Sequence, residues 1–340
     1  MQATKTTATT HESAKRSPKA MVRRGLQLLS SLVCVQVACM LLSRFSVLLE
    51  LATHFSFHAL VAGVILTPAL FLLQANRMGL VSAGATAILA IVVSPWQLYS
   101  GSKEQNIESD STKSVTSIFT NKVKVLSWNV LTSNRCYDEI QAIVDELDPD
   151  LILFIEVRPG FLDELPKIVA NYPILVSKPV WGGEGIAMLS RIEGTDLQYQ
   201  AFSLDRQPAV EARIPGGRGK NLHLVGIHTL SPLPPRRAVI RDQQLDSLSQ
   251  WSNTLDAPIC VCGDLNTTPW TKAFQDLLSD GFQDSRLGRG NCPSWPSELG
   301  PVGIPIDHVL TKGECKILER RVIPTAPGSD HRPVYFEVEF

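Results

Sequence analysis

The chain has 340 residues, a net charge of −1 and 44% hydrophobic residues, so its length allows one large folded domain or two smaller ones. The near-neutral balance excludes a uniformly basic nucleic-acid-binding protein, and the apolar fraction excludes a disordered chain. Seven cysteines without any CxxC spacing give no reason to expect a zinc site.

The first hundred residues differ from the rest. A basic segment, residues 1–24, carries Lys5, Lys15, Arg16, Lys19, Arg23 and Arg24. It precedes three apolar stretches of 17 to 20 residues, Leu26–Leu42, Phe57–Leu73 and Leu80–Tyr99. A helix crossing a hydrocarbon layer of about 30 Å needs roughly this length. Arg44 and Glu50 fall in the first break, Asn76 and Arg77 in the second. Pro68 and Pro95 are tolerable within spans, and Trp96 with Tyr99 suits an interfacial pair. A cleaved signal peptide would account for the first stretch but not for the next two. The prediction is an all-α transmembrane region of three helices over residues 25–100, with the basic tail cytoplasmic and the remainder extracytoplasmic. Residues 101–121 are polar and rich in Ser and Thr, as in a linker.

From residue 122 to 340 the pattern becomes alternating strands and helices. Apolar runs at 122–130, 185–191, 221–229, 257–266, 304–311 and 332–340 predict strands, and 148–157 a turn and then a buried strand ending at Glu156. Ile140, Ile143, Val144 and Leu147 recur at helical spacing within 136–147, and helices are expected over 235–251 and 271–278. This alternation predicts one layered α/β domain. Cys260 and Cys262 alternate along one strand, so both should face the same way as small buried hydrophobes.

Polar residues fall at the strand ends. Asn129, Glu156, His228, Asp264, Asn266, Asp307 and the pair Asp330–His331 each end, follow or begin an apolar run. One such residue reads as a turn former. So many together predict a site where strand ends gather, the edge at which α/β sheets place ligands.

The motifs "LSWNV", "DLILFIEV", "GIHT", "CGDLNTTP", "IDHVL" and "SDHRPV", in this order, resemble the signature of the endonuclease/exonuclease/phosphatase superfamily over residues 122–340. The chain resembles a membrane-anchored bacterial-type member with a pancreatic-type deoxyribonuclease-like domain. The resemblance implies a four-layer α/β sandwich of two packed mixed β-sheets flanked by helices. It implies Glu156 as principal ligand of Mg²⁺ or Mn²⁺, with Asn129 and Asp330 in support. Hard oxygen donors suit those ions. By the same resemblance Asp264 orients or deprotonates the attacking water, Asn266 bonds the phosphate, His331 contacts the scissile group with Asp307 behind it, and His228 touches phosphate or leaving group. Arg191 is a candidate phosphate contact, or an ordinary surface arginine. His223 and His308 read as structural. DNA-repair relatives carry an acid two positions after the first Asn, where this chain has Leu131. That departure weakens the link to that branch.

The expected activity is metal-dependent hydrolysis of a phosphoester, nuclease-like phosphodiester cleavage by metal-activated water first. The alternative is a phospholipid or phosphoinositide phosphodiesterase or phosphatase, and a second is a non-catalytic membrane protein that retains the fold. From Asn121 to Phe340 there are 22 Lys and Arg against 28 Asp and Glu, a net charge of −6, without the basic stripe that duplex binding calls for. Arg236, Arg237 and Arg241 form one basic segment that is either a substrate contact or a solvated turn. Expected partners are the ester and the bilayer, with no obligate protein partner.

Overall fold

Four helices come first: α1 (Pro18–Leu42), α2 (Val47–Thr53), α3 (Ser56–Leu72) and α4 (Asn76–Leu98). The computed structural model describes residues 18–98, 121–202 and 208–340. Lys5, Lys15, Arg16, Tyr99 and the expected linker, apart from Asn121, lie outside the described residues.

The four helices are apolar outside as well as inside, where Val33, Val37, Leu66 and Leu89 pack together. Leu28, Leu32, Val64, Ile65, Leu72, Leu80 and Ile91 are each more than half exposed. Between α3 and α4 small and hydroxyl-bearing residues also meet. Thr67 Oγ1 bonds Ser82 Oγ at 2.8 Å, and a Cβ added at Gly63 would sit 2.3 Å from Thr86 Oγ1. Close packing over small residues with apolar side chains outward is the order expected in lipid. Pro18–Phe45 and Asn76–Pro95 are each long and apolar enough to span a bilayer. A third span results if α2 and α3, bent by 58°, count as one. The short helix α2 occupies what the sequence presented only as a break, because Glu50 and His54 interrupt the apolar run.

The α/β region runs β1 (Lys122–Asn129), α5 (Tyr137–Leu147), β2 (Leu151–Ile155), α6 (Pro166–Asn171), β3 (Ile174–Lys178), β4 (Ile186–Ser190), β5 (Asp196–Ala201) and β6 (Pro208–Ile214). It continues with β7 (Leu222–His228), α7 (Pro235–Ser252), β8 (Ile259–Asp264), α8 (Lys272–Ser279), β9 (Gln283–Asp284), β10 (Asp307–Lys312), β11 (Lys316–Val322) and β12 (Val334–Glu339). Two six-stranded mixed sheets form, ordered β11-β12-β1-β2-β4-β3 and β5-β6-β7-β8-β10-β9.

Strand alternation builds the layers. In β1, Val123 and Val125 enter the core between the sheets, while Leu126 and Trp128 pack outward under α5 with Ile140 and Phe154. In β8, Cys260 and Cys262 face the same inner core, and Ile259 and Val261 face outward with Leu245 of α7 and Phe274 of α8. Both cysteines are buried free thiols. The result is a four-layer α/β sandwich. Within it β1 and β2 run parallel, joined through α5, and β7 and β8 run parallel, joined through α7. Each crossover brings the two strand ends to one edge of its sheet.

Sequence periodicity did not reveal β3, β5, β6, β9 or β11. β3 and β5 are sheet edges of mixed burial. β6 is buried but carries Glu211 at its centre, where His223 Nδ1 (2.6 Å), Arg213 Nε (3.0 Å) and Gln198 Nε2 (2.6 Å) hold its carboxylate.

Next to β9 lies a buried ion pair. Arg286 Nη2 meets Asp284 Oδ2 at 2.6 Å with both side chains fully buried, and Arg286 Nη1 donates to Asn291 O. Burial opposes ionisation of Asp284, yet the Arg286 charge holds it down to about 2. The pair therefore contributes stability above the ordinary carboxylate range and loses it as pH falls toward about 2. Arg286→Met should cost about 3–5 kcal/mol by removing the guanidinium charge that faces buried Asp284. Thermal unfolding of the detergent-solubilised chain checks this, and adding Asp284→Leu should recover most of the loss.

Candidate active site

The apolar strands stop where the polar residues begin, and the stops coincide in space. Asn129 ends β1, and its amide Nδ2 donates to Glu156 Oε1 (3.0 Å) and to Asp264 Oδ2 (3.2 Å), tying the edges of the two sheets together. Glu156 follows β2 with φ 65°, a conformation L-residues seldom adopt. Its Oε2 accepts from Thr132 N.

In the second sheet His228 and Asp264 are parallel partners at the ends of β7 and β8, and Asp307 starts β10 antiparallel to Asp264. Gly263, at φ 134°, permits this approach, since a Cβ there would lie 2.0 Å from the Ile227 carbonyl oxygen. Asp264 Oδ1 accepts from Asn266 N at 2.9 Å. Its other oxygen, Oδ2, faces His228 Nε2 and His331 Nε2, each at 3.7 Å. His331 Nδ1 bonds Asp307 Oδ2 at 2.9 Å.

The segment "GSDHRPV" is pinned to the end of β1. Gly328 has φ 68°, and a Cβ there would be 2.2 Å from Asn134 Oδ1. Ser329 Oγ donates to Asn129 O (2.6 Å) and accepts from His331 N (3.0 Å). Trp128 Nε1 donates to His331 O, and Trp295 Nε1 to Asp330 Oδ2, both at 3.0 Å. Trp295 and Thr132 thus position two candidate ligands, and neither carries a pattern that sequence periodicity could have shown.

Glu156, His228, Asp264, Asn266, Asp330 and His331 line one cavity of about 550 Å³. Asp307 stands behind His331. Asn129 presents its amide nitrogen to Glu156 while its Oδ1 accepts from Leu131 N. It would join an ion through oxygen only with the amide turned over. Arg191, expected at the phosphate, lies elsewhere. It pairs with Asp148 (2.5 Å) and Asp150 (3.1 Å), and Asp150 precedes β2 whereas Glu156 follows it. Arg191 therefore sits at the opposite edge of the first sheet, away from the cavity and its expected phosphate. Of the basic segment, Arg241 is fully buried against Glu50 and Asp242, and Arg237 lines the cavity 3.7 Å from Glu184. His308 and His223 are bound to Thr267 O and Glu211, as structural residues would be.

The charges are unevenly matched. Burial raises Asp264 to about 7. Burial opposes protonation of His331, but Asp307 and Asp264 together raise it to about 10. His228 falls to about 4 through burial and the His331 charge. At neutral pH the site thus holds an imidazolium, a neutral imidazole and a carboxyl group near its midpoint.

Asp264, Asp307 and His331 form a buried group whose donor atoms lie within 4.8 Å of one another. Glu156 and Asp330 add carboxylates in the same cavity, whose wall has no lysine among the described residues. An oxygen-rich, acid-rich donor set suits a hard divalent cation. Glu156 and Asp330 are the residues that would hold it, because Asp307 and His331 already occupy each other.

For a base to take a proton from water, Asp264 must be ionised. kcat/KM should therefore rise with pH, with its midpoint no higher than about 7, since a cation beside Glu156 can only pull that carboxyl lower. His331 remains charged across that limb. A pH profile at saturating Mg²⁺ checks this, and a rising limb well into the alkaline range rejects Asp264 as the base.

Comparison with known proteins follows the same lines. The family model described as "Endonuclease/Exonuclease/phosphatase family" matches residues 126–331, more than half of the chain. No curated protein matches significantly. Among solved structures the chain is similar to D. rerio TDP2 complexed with a single-strand DNA product (17% identity, TM-score 0.54, covering 64% of this chain and 99% of that one). It is also similar to a family protein from Bacteroides thetaiotaomicron (16%, TM-score 0.54, 65% and 98%). A mannosyl-6-phosphatase from Bacteroides thetaiotaomicron is similar as well (16%, TM-score 0.50, 64% and 100%). At these identities the likeness is one of fold. From the family model and the two-sheet sandwich together, the chain belongs to the endonuclease/exonuclease/phosphatase family.

Proposed function

We propose that this protein is a divalent-metal-dependent phosphoester hydrolase held at a membrane by its N-terminal helices. The observation that carries the reading is the convergence of His228 and the His331–Asp307 pair on one oxygen of Asp264, in the cavity that Glu156 and Asp330 also line. When bound, Mg²⁺ or Mn²⁺ supplies charge neutralisation at the phosphoryl oxygens and polarises water. The chain's residues do the rest. Asp264 takes the proton from the attacking water through Oδ2, the oxygen that both imidazoles face. His331, charged and fixed by Asp307 through Nδ1, offers Nε2–H to the phosphate. Neutral His228 hydrogen-bonds the phosphate or the leaving oxygen, and Asn266 contributes an amide. Donors fixed before substrate arrives supply most of the barrier lowering in such chemistry.

Membrane placement rests on the helices that touch the α/β region. α2, the start of α3 and the end of α4 make these contacts, through Glu50–Arg241 and through Val93, Phe57 and Leu60 packed with Trp270. All lie on the face away from Arg23 and Arg24. Three spans with the basic end cytoplasmic would leave the hydrolase extracytoplasmic. A reporter fused to the C-terminus tests the sidedness.

Phosphodiester cleavage in single-stranded nucleic acid is a second reading, favoured by the likeness to the TDP2 complex with its DNA product. The charge of −6 speaks against a grip on long nucleic acid. A non-catalytic role is disfavoured because the whole constellation is present. The deciding experiment offers the full-length chain in detergent bis-p-nitrophenyl phosphate, single- and double-stranded DNA, RNA and phospholipid vesicles, with Mg²⁺, Mn²⁺ or EDTA. Turnover abolished by EDTA is expected. Turnover in EDTA equal to that in Mg²⁺ would sink the mechanism.

A further inference from the structure

One wall of the catalytic cavity does not come from the α/β region. Leu51, His54 and Phe55 of the bend between α2 and α3 line the same space as Asp264 and His331. Leu51 lies in the last turn of α2, and His54 and Phe55 form the turn that follows it. That bend is held against the hydrolase by three polar ties. Arg241, fully buried in α7, donates to Glu50 Oε1 at 2.7 Å and, through Nη1, to the carbonyl of Asn266 at 3.2 Å. His54 Nδ1 meets Thr268 Oγ1 at 3.0 Å, and His58 Nε2 meets Val302 O at 2.6 Å. The bend is therefore fixed to the loop that carries Asn266, and the cavity is incomplete without it.

The opposing wall is apolar as well. Leu230, Leu233, Ile304 and Ile306 face the same space. At the mouth, Phe55 from the helices and Leu233 from the α/β loops are each more than half exposed, beside the Arg237–Glu184 pair. Such a collar of large apolar side chains is costly in water and marks a surface meant to be covered. Here it adjoins helices on which Leu48, Val64, Ile65 and Leu72 are exposed. The cavity is thus polar at its base, and one apolar part of its rim lies at the bend of a helix pair apolar enough together to sit in a bilayer.

We infer that the ester cleaved here is a membrane lipid phosphoester. Its phosphate sits among Asp264, His228 and His331, and its hydrocarbon chain leaves over Leu51 and Phe55 into the bilayer. The inference rests on the hydrolase reading and names its substrate class. A nucleic acid would have no use for the collar, and a small soluble ester would leave it in water.

The test pairs two esters with one reactive head and different tails. Full-length protein in dioleoyl phosphatidylcholine vesicles with Mg²⁺ is given hexadecyl p-nitrophenyl phosphate in the bilayer or methyl p-nitrophenyl phosphate in solution. Hexadecyl and methyl phosphate serve as the monoester pair, and a single-stranded oligonucleotide competes. Wild type should prefer the hexadecyl ester. Leu51→Glu and Phe55→Glu should reduce the hexadecyl-to-methyl ratio of kcat/KM by about tenfold or more, the effect of losing burial of roughly two methylenes. Leu51→Met and Phe55→Leu should retain it, which separates loss of the apolar lip from misfolding. A ratio near unity in wild type, a ratio unmoved by both glutamates, or an oligonucleotide cleaved in preference to either ester overturns the inference and leaves the hydrolase standing. No metal-dependent turnover of any substrate overturns both.

Discussion

His331→Ala should slow ester turnover by about 10²–10⁴-fold, the range that one placed acid–base or charge-stabilising side chain contributes. The expectation follows from geometry before charge. Nδ1 is committed to Asp307 at 2.9 Å, so Nε2 is the free end, and it lies 3.7 Å from the oxygen that serves as base. Asp307 and Asp264 overcome burial and keep the ring charged, which places a fixed proton donor where phosphoryl charge grows. Alanine also strips Asp307 of its partner, and breaking a buried charged pair costs about 3–5 kcal/mol. His331→Gln therefore accompanies it. Glutamine can still donate to Asp307 but carries no charge, so it should fold near the wild-type temperature and remain slow.

The same pair predicts non-additivity. Asp307→Asn removes the acid that holds the ring charged and should lower turnover by itself. In the His331→Ala background it should change nothing further, because its effect passes through the imidazole. A double-mutant cycle on kcat/KM measures this. If Asp307→Asn lowers turnover equally with and without His331, the two do not act as a unit.

Much of the site was legible because chemistry sits where apolar runs stop. Asn129, Glu156, His228 and Asp264 each end or follow a strand of otherwise buried residues, and the parallel crossovers through α5 and α7 carry those ends to one place. Arg191 shows where this reasoning stops. It follows β4 as Glu156 follows β2, but β4 runs antiparallel to β2, with Ser190 opposite Leu151. Its end therefore lies at the far edge, beside Asp150. Strand direction depends on which strands pair, which no short stretch of sequence states. Asp307 is the converse case, a strand start brought to the site because β10 opposes β8. The bend at Leu51–Phe55 escaped notice for another reason. Glu50 and His54 read as a gap between spans, while their partners, Arg241 and Thr268, lie about two hundred residues away.

Glu156→Gly should abolish the response to Mg²⁺ without lowering the unfolding temperature measured in EDTA. Glu156 has φ 65°, where an L-residue pays about 1–2 kcal/mol and glycine pays no steric penalty. Against this relief stand the chain entropy of glycine and the contacts from Asn129 and Thr132 to the carboxylate. It also removes one acid from a cavity that Asp264 and Asp330 share. These effects oppose and nearly cancel, so a strained residue kept for function should yield a variant at least as stable as wild type. A cation that binds only the folded chain stabilises it by about 2.7 kcal/mol at a hundredfold excess over Kd. Wild type should show that upward shift on titration with Mg²⁺, and the glycine variant should not. Glu156→Gln separates charge from backbone, since it retains the side-chain length and the strain while losing the negative ligand. It should lose the Mg²⁺ shift as the glycine variant does. If both variants keep the shift, the cation is held by the Asp264, Asp307 and His331 group instead. If the glycine variant unfolds well below wild type in EDTA, Glu156 is a structural residue and its backbone conformation serves the fold.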